Sequence, residues 1–145
     1  MDVHIGMKVE VSSDENGFEG AWFEATVIGR VDNTAEIKYY VRYEHFTTDE
    51  VVPEPLIEEI FLEYMLPIPP QVPLPSIIEA DIRVEVLEND CWWRGVIVDT
   101  FESPLSMKEL YEVYFPNTRT LLPFLHSHLR LAQEWVGGRW IPSQY

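Results

Sequence analysis

Val9-Glu10-Val11, then Trp22-Phe23, then Tyr40-Val41-Arg42-Tyr43 return later in the chain as Val84-Glu85-Val86, Trp92-Trp93 and Tyr111-Glu112-Val113-Tyr114. Each set reads as a short apolar strand, an aromatic pair opening a second strand, and a third strand ending in Tyr. Repetition at this long period means two copies of one small β module. Pairing also serves stability, because a module of about 60–70 residues is near the lower limit for a self-sufficient core. A duplicated small β unit points to a binding module and away from an enzyme.

The copies predict an all-β chain of two small barrels in tandem. In the first, alternation places strands over 7–11, 22–28 and 35–43, with a short fourth at Val51-Val52 and a fifth near Met65-Leu66. The spacing of Leu56, Ile57, Ile60, Phe61 and Tyr64 fits a helical turn as well. Five prolines between Pro67 and Pro75 read as a stiff linker whose apolar residues lie against a domain. The boundaries expected are a first domain over 1–68, a linker over 69–79 and a second domain over 80–145. In the second copy, strands are expected over 82–87, 92–100, 110–115, 121–124 and 128–131. Gly137-Gly138 between apolar pairs then predicts a terminal hairpin.

The chain has 145 residues, 46% of them hydrophobic and 13% aromatic, which excludes a disordered acidic tail. With 25 Asp+Glu against 10 Lys+Arg, the net charge is −15. That field repels bare nucleic acid and anionic membranes and attracts basic partners. A single cysteine, Cys91, forms no internal disulfide framework and fits a reducing compartment. The first residues lack a secretory pattern, and no apolar run approaches the roughly 20 residues of a membrane span. A soluble, intracellular protein is expected.

The aromatics carry the functional expectation. Strand alternation puts Phe23, Ala25 and Val27 on one face and Trp22, Glu24 and Thr26 on the other, with Tyr39, Val41 and Tyr43 together on the third strand. Phe18 precedes the second strand and Phe46 follows the third. Such rings could meet at one rim, edged by Asp14, Asp49 and Glu50. An acidic aromatic pocket suits a methylated ammonium: the π faces attract the cation, and methylation lowers its hydration cost. A carboxylate at the edge accepts an N–H bond from lower methylation states. Aromatics in small barrels also serve as plain core, and Trp22 and Trp92, at equivalent places, fit packing. The second copy has Trp93, Tyr114 and Phe115, but a shorter loop of Glu88-Asn89-Asp90-Cys91 faces the place of Phe18, and Asn117 that of Phe46. A cage is therefore expected in the first copy.

At these residues the chain resembles the plant Agenet family, tandem Tudor-like domains of the Royal superfamily. The resemblance rests on the run Gly17-Phe18-Glu19-Gly20-Ala21-Trp22-Phe23-Glu24-Ala25-Thr26-Val27 and on Tyr40-Val41-Arg42-Tyr43. It continues through Asn89-Asp90-Cys91-Trp92-Trp93-Arg94-Gly95-Val96-Ile97 and Tyr111-Glu112-Val113-Tyr114-Phe115-Pro116. It ends in Leu129-Arg130 and Glu134-Trp135-Val136-Gly137-Gly138-Arg139-Trp140. It implies two bent barrels packed side by side and a nuclear chromatin reader that binds methyl-lysine on a histone tail, most often histone H3. Family cages would fall here on Phe18, Trp22 or Phe23, and Tyr43, with Phe46 just after; Thr48 and Asn117 depart toward polar side chains. Glu54, Glu58, Glu59, Glu63, Glu79 and Asp81 would meet further basic side chains of the tail.

Catalytic, metal and cofactor chemistry finds no pattern. His126 and His128 would share one side of a strand, but two ligands without a Cys pair are too few for a structural zinc site. Asp14-Glu15-Asn16-Gly17 lacks the ligand spacing of a calcium loop, and no Gly-rich phosphate loop is present. No cofactor is expected. A methylation-independent scaffold for basic partners is the alternative. RNA binding is disfavoured by the charge, since the cluster of Arg30, Lys38 and Arg42 is small.

Overall fold

The structure is a computed structural model and describes residues 1–12, 20–32, 35–75, 81–105 and 108–143. The chain divides into two compact units, Met1–Ile68 and Pro69–Tyr145. Both are built almost wholly of strands, and each is a Tudor-like β unit, as the sequence pattern predicts.

The first unit contains β1 (Lys8–Ser12), β2 (Ala21–Arg30), β3 (Lys38–Thr47), β4 (Pro55–Phe61) and β5 (Met65–Pro67). All neighbours are antiparallel, in the order β4-β3-β2-β1-β5. Val9, Val11, Phe23, Ala25, Val27, Val41, Tyr43 and Met65 fill its core. Inward residues alternate with half-exposed ones along β2, as expected for a sheet buried on one face. Two expectations are corrected. Val51-Val52 is a bend with both side chains exposed, and the fourth strand is Pro55–Phe61. The ambiguous stretch that follows Leu56 resolves as that strand plus a single 3-10 turn over Leu62–Tyr64. Pro53 bears on the first: it has no N–H to give a ladder, and Pro55 is tolerated as the opening residue of the strand.

The second unit contains β6 (Ile82–Glu88), β7 (Cys91–Glu102), β8 (Glu109–Phe115), β9 (Thr120–Leu125) and β10 (Leu129–Leu131). Its order, β9-β8-β7-β6-β10, is that of the first unit. The duplication reaches the details. Each unit has a register shift in its second strand, between Val27 and Gly29 and between Ile97 and Asp99. Each has a 3-10 turn before its fifth strand, at Leu62–Tyr64 and His126–His128. His126 and His128 therefore lie in a turn and not along the expected strand. The β6–β7 hairpin turns through Asn89 and Asp90 at φ 54° and 63°, the left-handed pair of a primed turn.

A further hairpin, β11 (Gln133–Val136) and β12 (Arg139–Pro142), turns at Gly137-Gly138 with φ 60° and 81°. Arg94 anchors it, donating to the Gln133 carbonyl at 3.0 Å and to the Glu134 carboxylate at 3.3 Å. The Pro-rich segment up to Pro75 packs on this same unit. Leu74 joins its core, and the Pro70 carbonyl accepts from Gln133 at 2.9 Å.

Candidate functional site

Backbone register identifies the equivalent residues of the two units. Val11 faces Phe23 as Val86 faces Trp93, and Val27 faces Val41 as Ile97 faces Val113. Phe23 thus corresponds to Trp93, and Tyr43 to Phe115, not to Tyr114. The sequence alignment of Tyr43 with Tyr114 is off by one residue, and one residue in a strand is a change of face. Trp22 and Trp92 do occupy equivalent places, opposite Ser12 and Leu87.

In the first unit, three rings meet. Phe23 and Tyr43 lie 6.3 Å apart with planes at 79°, Phe23 and Phe46 5.3 Å apart at 66°, and Tyr43 and Phe46 6.1 Å apart at 90°. Three rings steeply inclined to one another form a corner. Phe23 reaches it by strand alternation from Ala25 and Val27. Tyr43 reaches it because Ala25 is its partner across the sheet.

Phe46 requires an irregularity, since alternation alone would turn residue 46 to the opposite side from residue 43. Between the paired positions Arg42↔Ile57 and Thr47↔Pro55, four residues of β3 stand against one of β4. This bulge bends β3 and returns Phe46 to the side of Phe23.

The corner has a charged neighbour. The Tyr43 hydroxyl donates to Glu58 Oε2 at 3.1 Å, while the rest of the Glu58 side chain is exposed. Phe23 and Tyr43 each keep 9% of their surface open, and Phe46 keeps more. Asp49 and Glu50 sit on an exposed loop closed at its base by Thr48 and Glu54. The Thr48 amide donates to the Glu54 carbonyl at 2.8 Å, and the Glu54 amide donates back to Thr48 Oγ1 at 3.2 Å.

The other expected residues separate. Trp22 turns to the face opposite Phe23 and does not join the corner, a correction that follows from strand alternation. Phe18 and Asp14 lie outside the described residues. In the second unit, Trp93 packs against the core and donates its Nε1–H to the Glu88 carbonyl at 3.0 Å. Phe115 is buried edge-to-face against Phe124 at 5.8 Å. Tyr114 points the other way and is exposed. The place of Glu58 is taken by Leu122, since Glu58 faces Val41 as Leu122 faces Val113. The acid–aromatic combination thus occurs at this place in the first unit and not at its counterpart. Glu58, expected only to meet basic side chains of a tail, is part of the corner through its pairing across β3, which is invisible without the register.

Each unit also buries a carboxylate. Glu10 and Glu85, at equivalent positions, are 2% and 4% exposed. Glu85 accepts from Arg130 Nε at 2.9 Å and lies 3.6 Å from Arg94, and the Arg130 guanidinium stacks 3.9 Å above Trp92. Strand alternation alone would turn the Glu of Val-Glu-Val away from the core; β10, contributing Arg130 beside β6, changes that environment for Glu85.

The pattern of the Agenet domain matches residues 6–71. The chain also superposes on the crystal structure of Arabidopsis thaliana AGDP1 AGD34 with a TM-score of 0.79 and 32% identity, covering 96% of this chain and 88% of that one. This chain belongs to the Agenet family. It is similar as well to a crystal structure of the ADCP1 tandem Agenet domain 3-4, with a TM-score of 0.75, 28% identity, and 96% and 86% of the two chains covered. Among curated proteins of Arabidopsis thaliana, it is 40% identical over 139 residues to Agenet domain (AGD)-containing protein P1. It is 36% identical over 138 residues to DUF724 domain-containing protein 3. These stretches are 96% and 94% of this chain but 25% and 19% of the two relatives, so the chain spans a quarter or less of their length. Agenet domains are non-catalytic binding domains, in keeping with the binding module read from the duplication.

Proposed function

We propose that the first Agenet unit reads a methylated lysine on a histone tail, that of histone H3, as part of a nuclear chromatin protein. The observation that supports this most is the corner of Phe23, Tyr43 and Phe46 with Glu58 at its edge. Three π faces and a carboxylate are the chemistry that attracts an alkylated ammonium. A cation against such rings gains about 0.5–1 kcal/mol when exposed and about 2 or more when desolvated. Approach is assisted by the net charge of −15 and by Asp49, Glu50, Glu54, Glu59 and Glu63, all exposed around the loop and β4. Each exposed ion pair adds only about 0–1 kcal/mol, so the acidic residues act in number.

One observation favours a second reading, a scaffold that binds basic partners whatever their methylation. The small exposure of Phe23 and Tyr43 is also what core aromatics show. Calorimetric titration of methylated and unmodified histone H3 peptides decides between them. The cage reading expects Tyr43→Ala to weaken the methylated peptide more than the unmodified one. Equal losses for both, with binding that collapses steeply with salt, would leave the scaffold.

A further inference from the structure

We propose that the outer face of β7, β8 and β9 docks a basic amphipathic helix of a partner protein, separately from the aromatic corner. The face is read from cross-strand pairs. One row is Val96, Tyr114 and Leu121, a second Asp99, Glu112 and Pro123, a third Phe101, Leu110 and Leu125. Phe101, Tyr114 and Leu121 are 41%, 37% and 49% exposed, and Val98 beside them is exposed too.

The duplication supplies an internal control. In the first unit the matching positions are Thr26, Arg42 and Ile57, then Gly29, Tyr40 and Glu59, with Lys38 and Phe61 in the third row. There the outer rows carry cations, Arg42 in the first and Lys38 in the third, with Lys38 lying 4.5 Å above the Phe61 ring. Ile57 and Tyr40 are exposed there too, at 50% and 38%, but Arg42 and Lys38 stand where the second unit has Tyr114 and Leu110, so the same fold forms without an unbroken apolar row at those places. An exposed apolar patch rimmed by polar residues is an interaction surface.

Charge complementarity selects the occupant. The middle row places Asp99 and Glu112 between two apolar rows, which calls for a Lys or Arg flanked by apolar side chains. A second copy of this chain would lay its own Asp99 and Glu112 on the same row about a two-fold axis, and like charges facing each other oppose that pairing. A helix also fits the backbone requirement. It satisfies its own N–H and C=O groups, whereas a lone strand lying on apolar side chains would leave them unmet. Three strands span about 10 Å, the width of a helix with its side chains. The outer rows are four residues apart along β8, or about 13 Å, which a helix covers in about eight or nine residues.

The test uses the whole chain and a synthetic helical peptide carrying Leu at i and i+8 and Lys at i+4. Backbone amide shifts should move along β7–β9, and the pair Phe101→Ser with Leu121→Ser should weaken binding at least tenfold. Exchanging the peptide's Lys for Glu should do the same. Both replaced side chains are exposed, so circular dichroism should show an unchanged fold. Shifts confined elsewhere, equal binding of the Glu peptide, or self-association that Leu121→Ser abolishes would each overturn the proposal, the last in favour of a second copy.

Discussion

Phe46 shows what a single residue can and cannot disclose. Its ring type marks it as a candidate, but its direction comes from the bulge in β3. Phe23 and Tyr43 stand on regular strand, where alternation sets their side, and the same alternation turns Trp22 away. Glu58 is legible as an acidic contact but not as a partner of Tyr43, because that link spans 15 positions. Tyr43→Phe separates two roles at this residue: it keeps the ring and removes the bond to Glu58. Methylated-peptide binding measured by calorimetry should stay within about threefold, equivalent to less than about 1 kcal/mol, whereas Tyr43→Ala should lose about tenfold.

Cys91 offers an independent residue-scale check on the second unit. Burial, reinforced by Asp90 and Glu88 and opposed by Trp93, pushes its thiol from 9.0 up to about 11. Below pH 9 the thiol is protonated in both folded and unfolded chains. From about 9 to about 11 the unfolded chain releases its proton while the folded one retains it, so stability must fall with rising pH. Denaturant titrations across that window should show the fall, and Cys91→Ala should flatten it.

At the scale of elements, the repeat made most strands legible. Alternation and turn chemistry gave β1 to β3, β6 to β8 and the final hairpin. The errors cluster where local signals compete. At 51–60, prolines and helical spacing concealed β4; at His126 a 3-10 turn was hidden by an apolar context. Register was the quantity hardest to read, because Tyr111 and Tyr114 mimic Tyr40 and Tyr43 by spacing alone. The backbone pairing instead sets Phe115 over Gly95, as Tyr43 lies over Ala25. A Cβ on Gly95 would come 2.5 Å from Val113 Cγ1 and 3.0 Å from the Tyr114 carbonyl oxygen. Val113 is β-branched and the carbonyl is backbone, so neither yields easily. Gly95→Ala should therefore cost about 1–3 kcal/mol, read by chemical denaturation, while methylated-peptide affinity of the folded fraction should be unchanged. An unaltered midpoint would contradict this packing.

For the whole molecule, one fold used twice carries two different surfaces. The first unit combines rings with a carboxylate; the second replaces that carboxylate with Leu122, buries Phe115, and turns its exposed side chains outward on β7–β9. The tandem Agenet architecture was legible in the sequence because duplicated strand patterns survive such divergence. The division of surfaces was not, because it depends on which face each residue takes. The most direct test of the account is a nuclear Overhauser measurement on the chain bound to a histone H3 peptide bearing N-methyl-labelled lysine. Contacts from the methyl protons to the rings of Phe23, Tyr43 and Phe46 are predicted. Contacts to Trp93 or Tyr114 instead, or none to any ring under saturating peptide, would contradict it.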